Sequence, residues 1–163
     1  MAKKKAAVTN AMRMLNAAKI KYETVEYEHE GEIGRDFGAE IAALTGIEAE
    51  RSFKTLVARG EKRGIMVVCI PVTSEVDLKK LAKAAGDKKV EMIHVKELFA
   101  LTGYIRGGVS PIGMKKKYPT YVDATAADFD KIAVSAGVCG ATILLAPDDL
   151  VRVTGCEFAD LRR

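Results

Sequence analysis

Two apolar runs stand side by side in the middle of the chain, at residues 52–58 and 65–72, and the loop between them, 59–64, carries Gly60 and Gly64. Runs of this length, rich in β-branched and aliphatic side chains and joined by a short glycine-bounded loop, predict an antiparallel hairpin. The remaining segments must pack around it.

Upstream, Val8, Ala11, Met12, Leu15 and Ala18 recur at helical spacing and predict a helix over 7–18. Residues 22–27 alternate and read as a half-buried strand. A polar loop over 29–36, containing Gly31 and Gly34, leads to a helix that Asp36 caps, with Phe37, Ile41 and Leu44 on one face. Downstream, Ser74 with Asp77 three residues on opens a helix through Leu78, Leu81, Ala82 and Ala85 to Gly86. A strand at 90–93, a helix at 95–101, strands at 121–123, 132–135 and 142–145, and a last helix from Pro147 through Val153 complete the order. Thr-Gly preceded by Leu or Val ends three segments, at Gly46, Gly103 and Gly155, and marks helix stops rather than a repeat.

Strands and helices are interspersed without strict βαβ alternation. The expected fold class is α/β of the α+β kind: a mixed sheet curved into a barrel-like core with outer helices, one domain over residues 1–163. The longest mainly apolar stretch, 65–72, is far shorter than the ~20 residues a membrane helix needs. The lysine-rich start resembles the first part of a signal peptide, but Thr9, Asn10, Arg13 and Asn16 break the apolar stretch that a signal peptide needs next. A cytosolic protein with no membrane partner is expected.

The reactive inventory is short. Cys69, Cys139 and Cys156 are odd in number and far apart, and His29 and His94 belong to no ligand motif, so neither a disulfide framework, a metal site nor a cofactor is expected. A Cys–His dyad has no support from spacing. Ser110 lacks the nucleophile elbow, since Gly108-Val-Ser-Pro-Ile surrounds it. The net charge of +4 is gathered in clusters at Lys3–Lys5, Lys79/Lys80, Lys88/Lys89 and Lys115–Lys117. Such clusters permit a polyanion partner, although a run of lysines is more often a solvated face.

Two features carry most of the chemical information. The segment from Gly103 to Lys117 holds four glycines, a serine and a proline within eleven residues. Its backbone N–H groups can converge on a carbonyl or an anion, or the segment can simply turn a tight corner. Spacing alone favours the corner. Lys54 shares a strand face with Leu56 and Ala58, while Phe53, Thr55 and Val57 occupy the other. It either snorkels to the rim or points into a cavity, and the pattern by itself favours the rim.

Arg51-Ser-Phe-Lys54-Thr-Leu-Val57, Lys88-Lys-Val-Glu-Met92 and Gly103-Tyr-Ile-Arg-Gly-Gly-Val-Ser-Pro-Ile-Gly-Met-Lys-Lys116 together resemble YbaK-type Cys-tRNA(Pro) deacylases. These belong to the superfamily of the prolyl-tRNA synthetase editing domain. The resemblance runs in order from Tyr27-Glu-His-Glu30 to Ala146-Pro-Asp-Asp-Leu150. It implies a trans-editing hydrolase that removes cysteine from Cys-tRNA(Pro), and from Cys-tRNA(Cys), through attack by the substrate's own thiol. It also implies that Lys54 is the residue on which activity depends, which reverses the rim reading. Tyr27, Gly107, Gly108, Ser110, Ser135 and Thr142 are the implied substrate-binding positions, with Lys115, Lys116 and Lys117 as weak tRNA contacts. Aminoacyl-tRNA is the implied partner, and prolyl-tRNA synthetase a candidate one.

The chain departs from that pattern at Val138-Cys139-Gly140 and Thr142, where relatives of this type carry two basic residues, a glycine and then an acidic residue. A neutral threonine does not pair with a substrate ammonium. Discharge of alanine or serine, or a non-catalytic tRNA- or synthetase-binding role, are the competing readings.

Overall fold

A computed structural model describes residues 8–29, 33–34 and 36–163. Lys3–Lys5, Glu30 and Gly31 lie outside the described residues.

The first helix, α1 (Asn10–Ala17), starts later than its apolar spacing suggests because the Thr9 hydroxyl accepts from the Met12 N–H at 3.1 Å and caps it. It buries Ala11, Met12 and Leu15. Strand β1 (Glu23–Glu26) is not half-buried as its alternation suggests. It is a sheet edge on which only Val25 is partly covered. Helix α2 (Phe37–Thr45) follows Asp36, whose side chain makes no capping bond, and stops at Gly46 in the left-handed region, φ 74°.

The central hairpin forms as expected, between β2 (Phe53–Gly60) and β3 (Gly64–Pro71). The ladder continues into the predicted loop, pairing Arg59 with Ile65 and Gly60 with Gly64, so the turn shrinks to residues 61–63. The Asp87 carboxylate pins that turn: it accepts from the main-chain N–H groups of Lys62, Arg63, Lys88 and Lys89. Helix α3 (Leu78–Ala85) precedes it and is capped by Asp77, which accepts from Lys79 N at 2.9 Å and Lys80 N at 3.0 Å. Ser74, the expected cap, lies three residues too early.

Strand β4 (Val90–Met92) leads through a 3₁₀ turn at Val95–Glu97 into the short α4 (Leu98–Thr102). Strands β5 (Thr120–Asp123), β6 (Ile132–Ser135) and β7 (Ala141–Leu145), then α5 (Pro147–Thr154), match the predicted order. A further strand, β8 (Glu157–Ala159), is too short to leave a periodic signal.

The strands form two sheets, ordered β4-β2-β3-β5-β8 and β1-β7-β6. The first is mixed, with β3–β5 and β5–β8 parallel; the second is antiparallel throughout. One parallel bridge, Ser52 to Ala133, joins them. The core is therefore curved but not closed into a cylinder. Phe53, Cys69, Ile112, Val134 and Ile143 fill the space between the sheets, and Met66, Val68, Ile70 and Leu81 form a second core under α3. Among the described residues no helix is long and apolar enough to cross a membrane.

This arrangement leaves a gap. One edge of β2 is paired with β3 along its whole length, whereas the other meets β4 only from Ala58 onward and β6 only at Ser52.

Candidate active site

A cavity of about 440 Å³ opens over that gap, and residues 53–57 of β2 all line it. Five consecutive strand residues share a wall because the cavity sees the strand edge-on, so both faces contribute. Helix α2 supplies Phe37, Gly38 and Ile41; the β4 end supplies Met92, Ile93 and Val95; the glycine segment supplies Arg106 and Gly107. Ser135 and Thr142 stand on the wall formed by the second sheet.

Lys54 is one of the lining residues. Its Nζ lies 4.0 Å from Glu75 Oε1, too far for a hydrogen bond, and the side chain is only 27% exposed. The ammonium is thus partly withdrawn from water and only loosely paired. Arg106, which sequence reasoning did not single out, lines the same cavity. Among the described lining residues there is no Asp or Glu. The lining is mainly apolar and carries two cationic side chains, half-buried Lys54 and exposed Arg106, together suited to a ligand with an anionic or electron-rich group beside an apolar one.

Tyr27 lines the cavity just beyond β1, with its main-chain N–H donating to Gly140 O at 2.9 Å. Burial pushes its phenol above the ordinary tyrosine value, opposed by a hydrogen bond from the Gly140 main chain and aided by the Cys139 thiol. The phenol is therefore a protonated donor near neutrality. Nearby, His29 Nε2 lies 2.6 Å from Glu40 Oε2 and its ring meets Phe37 edge-on at 4.7 Å, tying the end of β1 to α2. His29 is engaged with Glu40 while Cys139 sits beside Tyr27, so the two do not form a dyad.

The glycine segment divides into a part that reaches the cavity and a part that does not. Gly107 reaches it, with φ 90° and a position where a Cβ would stand 2.5 Å from Ile33 Cδ1. Gly108 lies behind it: its N–H donates to Ile105 O at 2.9 Å, and a Cβ there would come 2.9 Å from Val138 C and Cys139 N. Ser110 is fully buried and its hydroxyl accepts from Ile112 N at 3.2 Å. Neither Gly108 nor Ser110 lines the cavity. Their chemistry is used inside the loop, as the corner reading of this segment expects, and of the two adjacent glycines only Gly107 faces the cavity.

On the opposite wall, Ser135 accepts from Gly137 N at 3.2 Å. Thr142 is 6% exposed and its hydroxyl donates to Val134 O at 2.8 Å. With its proton so engaged, Thr142 offers the cavity a methyl and a weak acceptor rather than a charge. Lys115 places its ammonium 4.9 Å from the ring centroid of Phe99, and Lys115, Lys116 and Lys117 are all exposed outside the cavity lining. Among the described residues no three His, Cys, Asp or Glu side chains gather as a metal site.

The model of the aminoacyl-tRNA editing domain matches residues 35–153. The Enterococcus faecalis protein EbsC, provisionally named a Cys-tRNA(Pro)/Cys-tRNA(Cys) deacylase, is 51% identical over 99% of this chain and 98% of its own. The Escherichia coli multifunctional Ser/Thr-tRNA deacylase ProXp-y is 24% identical over 76% of each chain. A solved structure provisionally described as a trans-editing enzyme for prolyl tRNA synthetase superposes with a TM-score of 0.80 at 26% identity, covering 97% of this chain and 99% of that one. With its cavity, its lysine and its glycine segment in that frame, the chain belongs to the aminoacyl-tRNA editing domain family.

Proposed function

We propose that the protein is a cytoplasmic trans-editing deacylase that discharges cysteine from Cys-tRNA(Pro), and from Cys-tRNA(Cys), with prolyl-tRNA synthetase as the partner that delivers the charged tRNA. The observation that carries this reading is the composition of the cavity: two cationic side chains, Lys54 and Arg106, in a mainly apolar lining where no described serine, cysteine or histidine is set up as a nucleophile. The similarity to EbsC supports the same substrate.

Such a chamber suits a substrate that brings its own nucleophile. The cysteine thiol, as thiolate, attacks its own ester carbonyl carbon; the bond to the ribose oxygen breaks, that oxygen takes a proton, and a thiolactone leaves for hydrolysis. Well-placed intramolecular attack reaches effective molarities of about 10⁵–10⁸ M. The enzyme then has to hold one conformer and stabilise the developing oxyanion. In this reading Lys54 holds the terminal nucleotide or the carbonyl region, Tyr27 donates from its phenol, Gly107 and Ser135 shape the two sides of the aminoacyl group, and Gly108 and Ser110 brace the loop behind. Lys115, Lys116 and Lys117 make weak contacts to the tRNA body.

The neutral Thr142 favours a second reading, in which the same cavity discharges alanine or serine by attack of water. A panel of Cys-, Ala- and Ser-tRNA, with and without prolyl-tRNA synthetase, separates the two. Fastest loss of cysteine supports the first; fastest loss of alanine or serine supports the second; salt-sensitive tRNA binding without any discharge contradicts both.

A further inference from the structure

The cavity wall contains an unpaired stretch of sheet edge, and its main-chain groups have a direction that the ladder fixes. Val72 N donates to Ser52 O at 2.8 Å, so Ser52 turns its C=O toward β3, while its N–H closes the preceding turn on Ala49 O at 3.2 Å. In an antiparallel pair that direction alternates every residue. Lys54, Leu56 and Ala58 therefore also face β3, while Phe53, Thr55, Val57 and Arg59 face the other edge. Pro71, which has no N–H, sits opposite Phe53, as a position without mutual hydrogen bonds allows. Ile93 N donates to Val57 O at 3.3 Å across that other edge, which fixes the same parity from the β4 side.

Between the bridge at Ser52 and the start of β4 pairing, Thr55 is the residue whose N–H and C=O both point off the open edge. No bridge to β4 or β6 among the described residues includes Thr55, and Thr55 lines the cavity. Its side chain is turned aside, with Oγ1 3.7 Å from Cys69 Sγ. A half-buried donor and acceptor left open in this way are costly unless a ligand or water completes them. Meanwhile the donor expected from Gly108 is already spent on Ile105 O.

We propose that the aminoacyl group of the substrate docks on Thr55 as one more β residue, its ester carbonyl oxygen accepting from the Thr55 N–H and its α-amine donating to the Thr55 C=O. This rests on the deacylase reading of the cavity and names which atoms of that site hold the reacting group. The fit is geometric, because the N–H and C=O of one strand residue match the amine and carbonyl of one amino acid. It also accounts for a cavity without a described carboxylate: a main-chain carbonyl takes the role of ammonium partner. The Thr55 N–H then meets the oxygen on which negative charge develops.

The test replaces the main-chain amide at Thr55 by an ester, which keeps the side chain and deletes the N–H, with Thr55→Pro as a second deletion of the same donor. Proline is tolerated where the N–H faces away from the ladder. Single-turnover discharge of Cys-tRNA(Pro) is expected to slow by about 10²–10³-fold in both, as for loss of one oxyanion donor. The melting temperature and the tRNA concentration giving half-maximal rate are expected to stay near those of the unmodified protein. On the unmodified protein, tRNA esterified with 3-mercaptopropionate, which has the thiol but no amine, is expected to need a higher concentration for half-maximal rate. A wild-type rate in the ester protein overturns the inference and leaves the deacylase reading standing. Loss of the fold on removing the N–H overturns it too, since that N–H would then be bonded within the protein. Absence of discharge by the unmodified protein overturns both.

Discussion

Lys54 Nζ stands 4.0 Å from Glu75 Oε1, near enough to feel the carboxylate and too far to be held by it. Glu75 is 69% exposed, so the pair is worth little, about 0–1 kcal/mol. The ammonium is left available to the cavity. Lys54→Ala is expected to abolish discharge of Cys-tRNA, while Glu75→Gln changes the rate by no more than about fivefold. Parallel rate measurements on the two variants check this; equal loss in both would mean that the pair acts as one structural unit.

Gly108 packs directly on the main chain of Val138 and Cys139. A methyl group there would need the loops to part by several tenths of an ångström. Gly108→Ala is expected to destabilise the fold by about 1–3 kcal/mol, the range for overpacking, and to slow discharge through displacement of Gly107. Urea titration beside the rate assay reads both effects. An unchanged midpoint would show that the two loops yield freely.

The three thiols differ sharply in environment. Burial pushes Cys69 up to about 12 and raises Cys156 as well, while Cys139 is exposed beside Tyr27. An aromatic disulfide reagent at pH 8 is expected to titrate one thiol quickly in the folded protein and three in denaturant. Cys139→Ser should remove the fast phase. Two fast thiols in the native state would contradict the packing between the sheets.

Asp87 links the hairpin turn to the end of α3. Desolvation works to raise its carboxyl, but the N–H groups of Arg63, Lys62, Lys88 and Lys89 outweigh that and hold it below the ordinary value. A depressed folded value means that the stabilisation is complete above the unfolded carboxyl's pKa, about 3.9, and fades as pH falls through the lower folded value. Melting temperatures of the parent and of Asp87→Asn are therefore expected to differ at pH 6 and to converge at the acid end. A difference that persists unchanged to low pH would contradict the assignment.

Much of the scaffold was legible because its signals are local. The hairpin, the stops at Gly46, Gly103 and Gly155, and the apolar face of α3 each follow from spacing within one segment. Register, edges and sheet membership are set by contacts distant in sequence, so β1 read as half-buried and β8 did not register. The site divides along the same line. Lys54, Tyr27, Gly107, Ser135 and Thr142 all line one cavity, whereas strand pattern alone had placed Lys54 at the rim. Gly108 and Ser110 look like ligand-facing residues in a string of letters, but their N–H and hydroxyl are consumed within the loop. Thr55 left no sequence signal because its place on the open edge depends on where β4 and β6 stop pairing with β2, and Arg106 because its place on the cavity depends on how the glycine segment packs against α2 and β2.

The most direct test is the rate at which the purified protein discharges Cys-tRNA(Pro), measured against Ala-tRNA and Ser-tRNA and against S-methylcysteinyl-tRNA(Pro). Fast loss of cysteine, slow loss of alanine and serine, and no loss of the S-methyl substrate are the predicted result. Discharge of S-methylcysteine at the rate of cysteine would contradict attack by the substrate's own thiol.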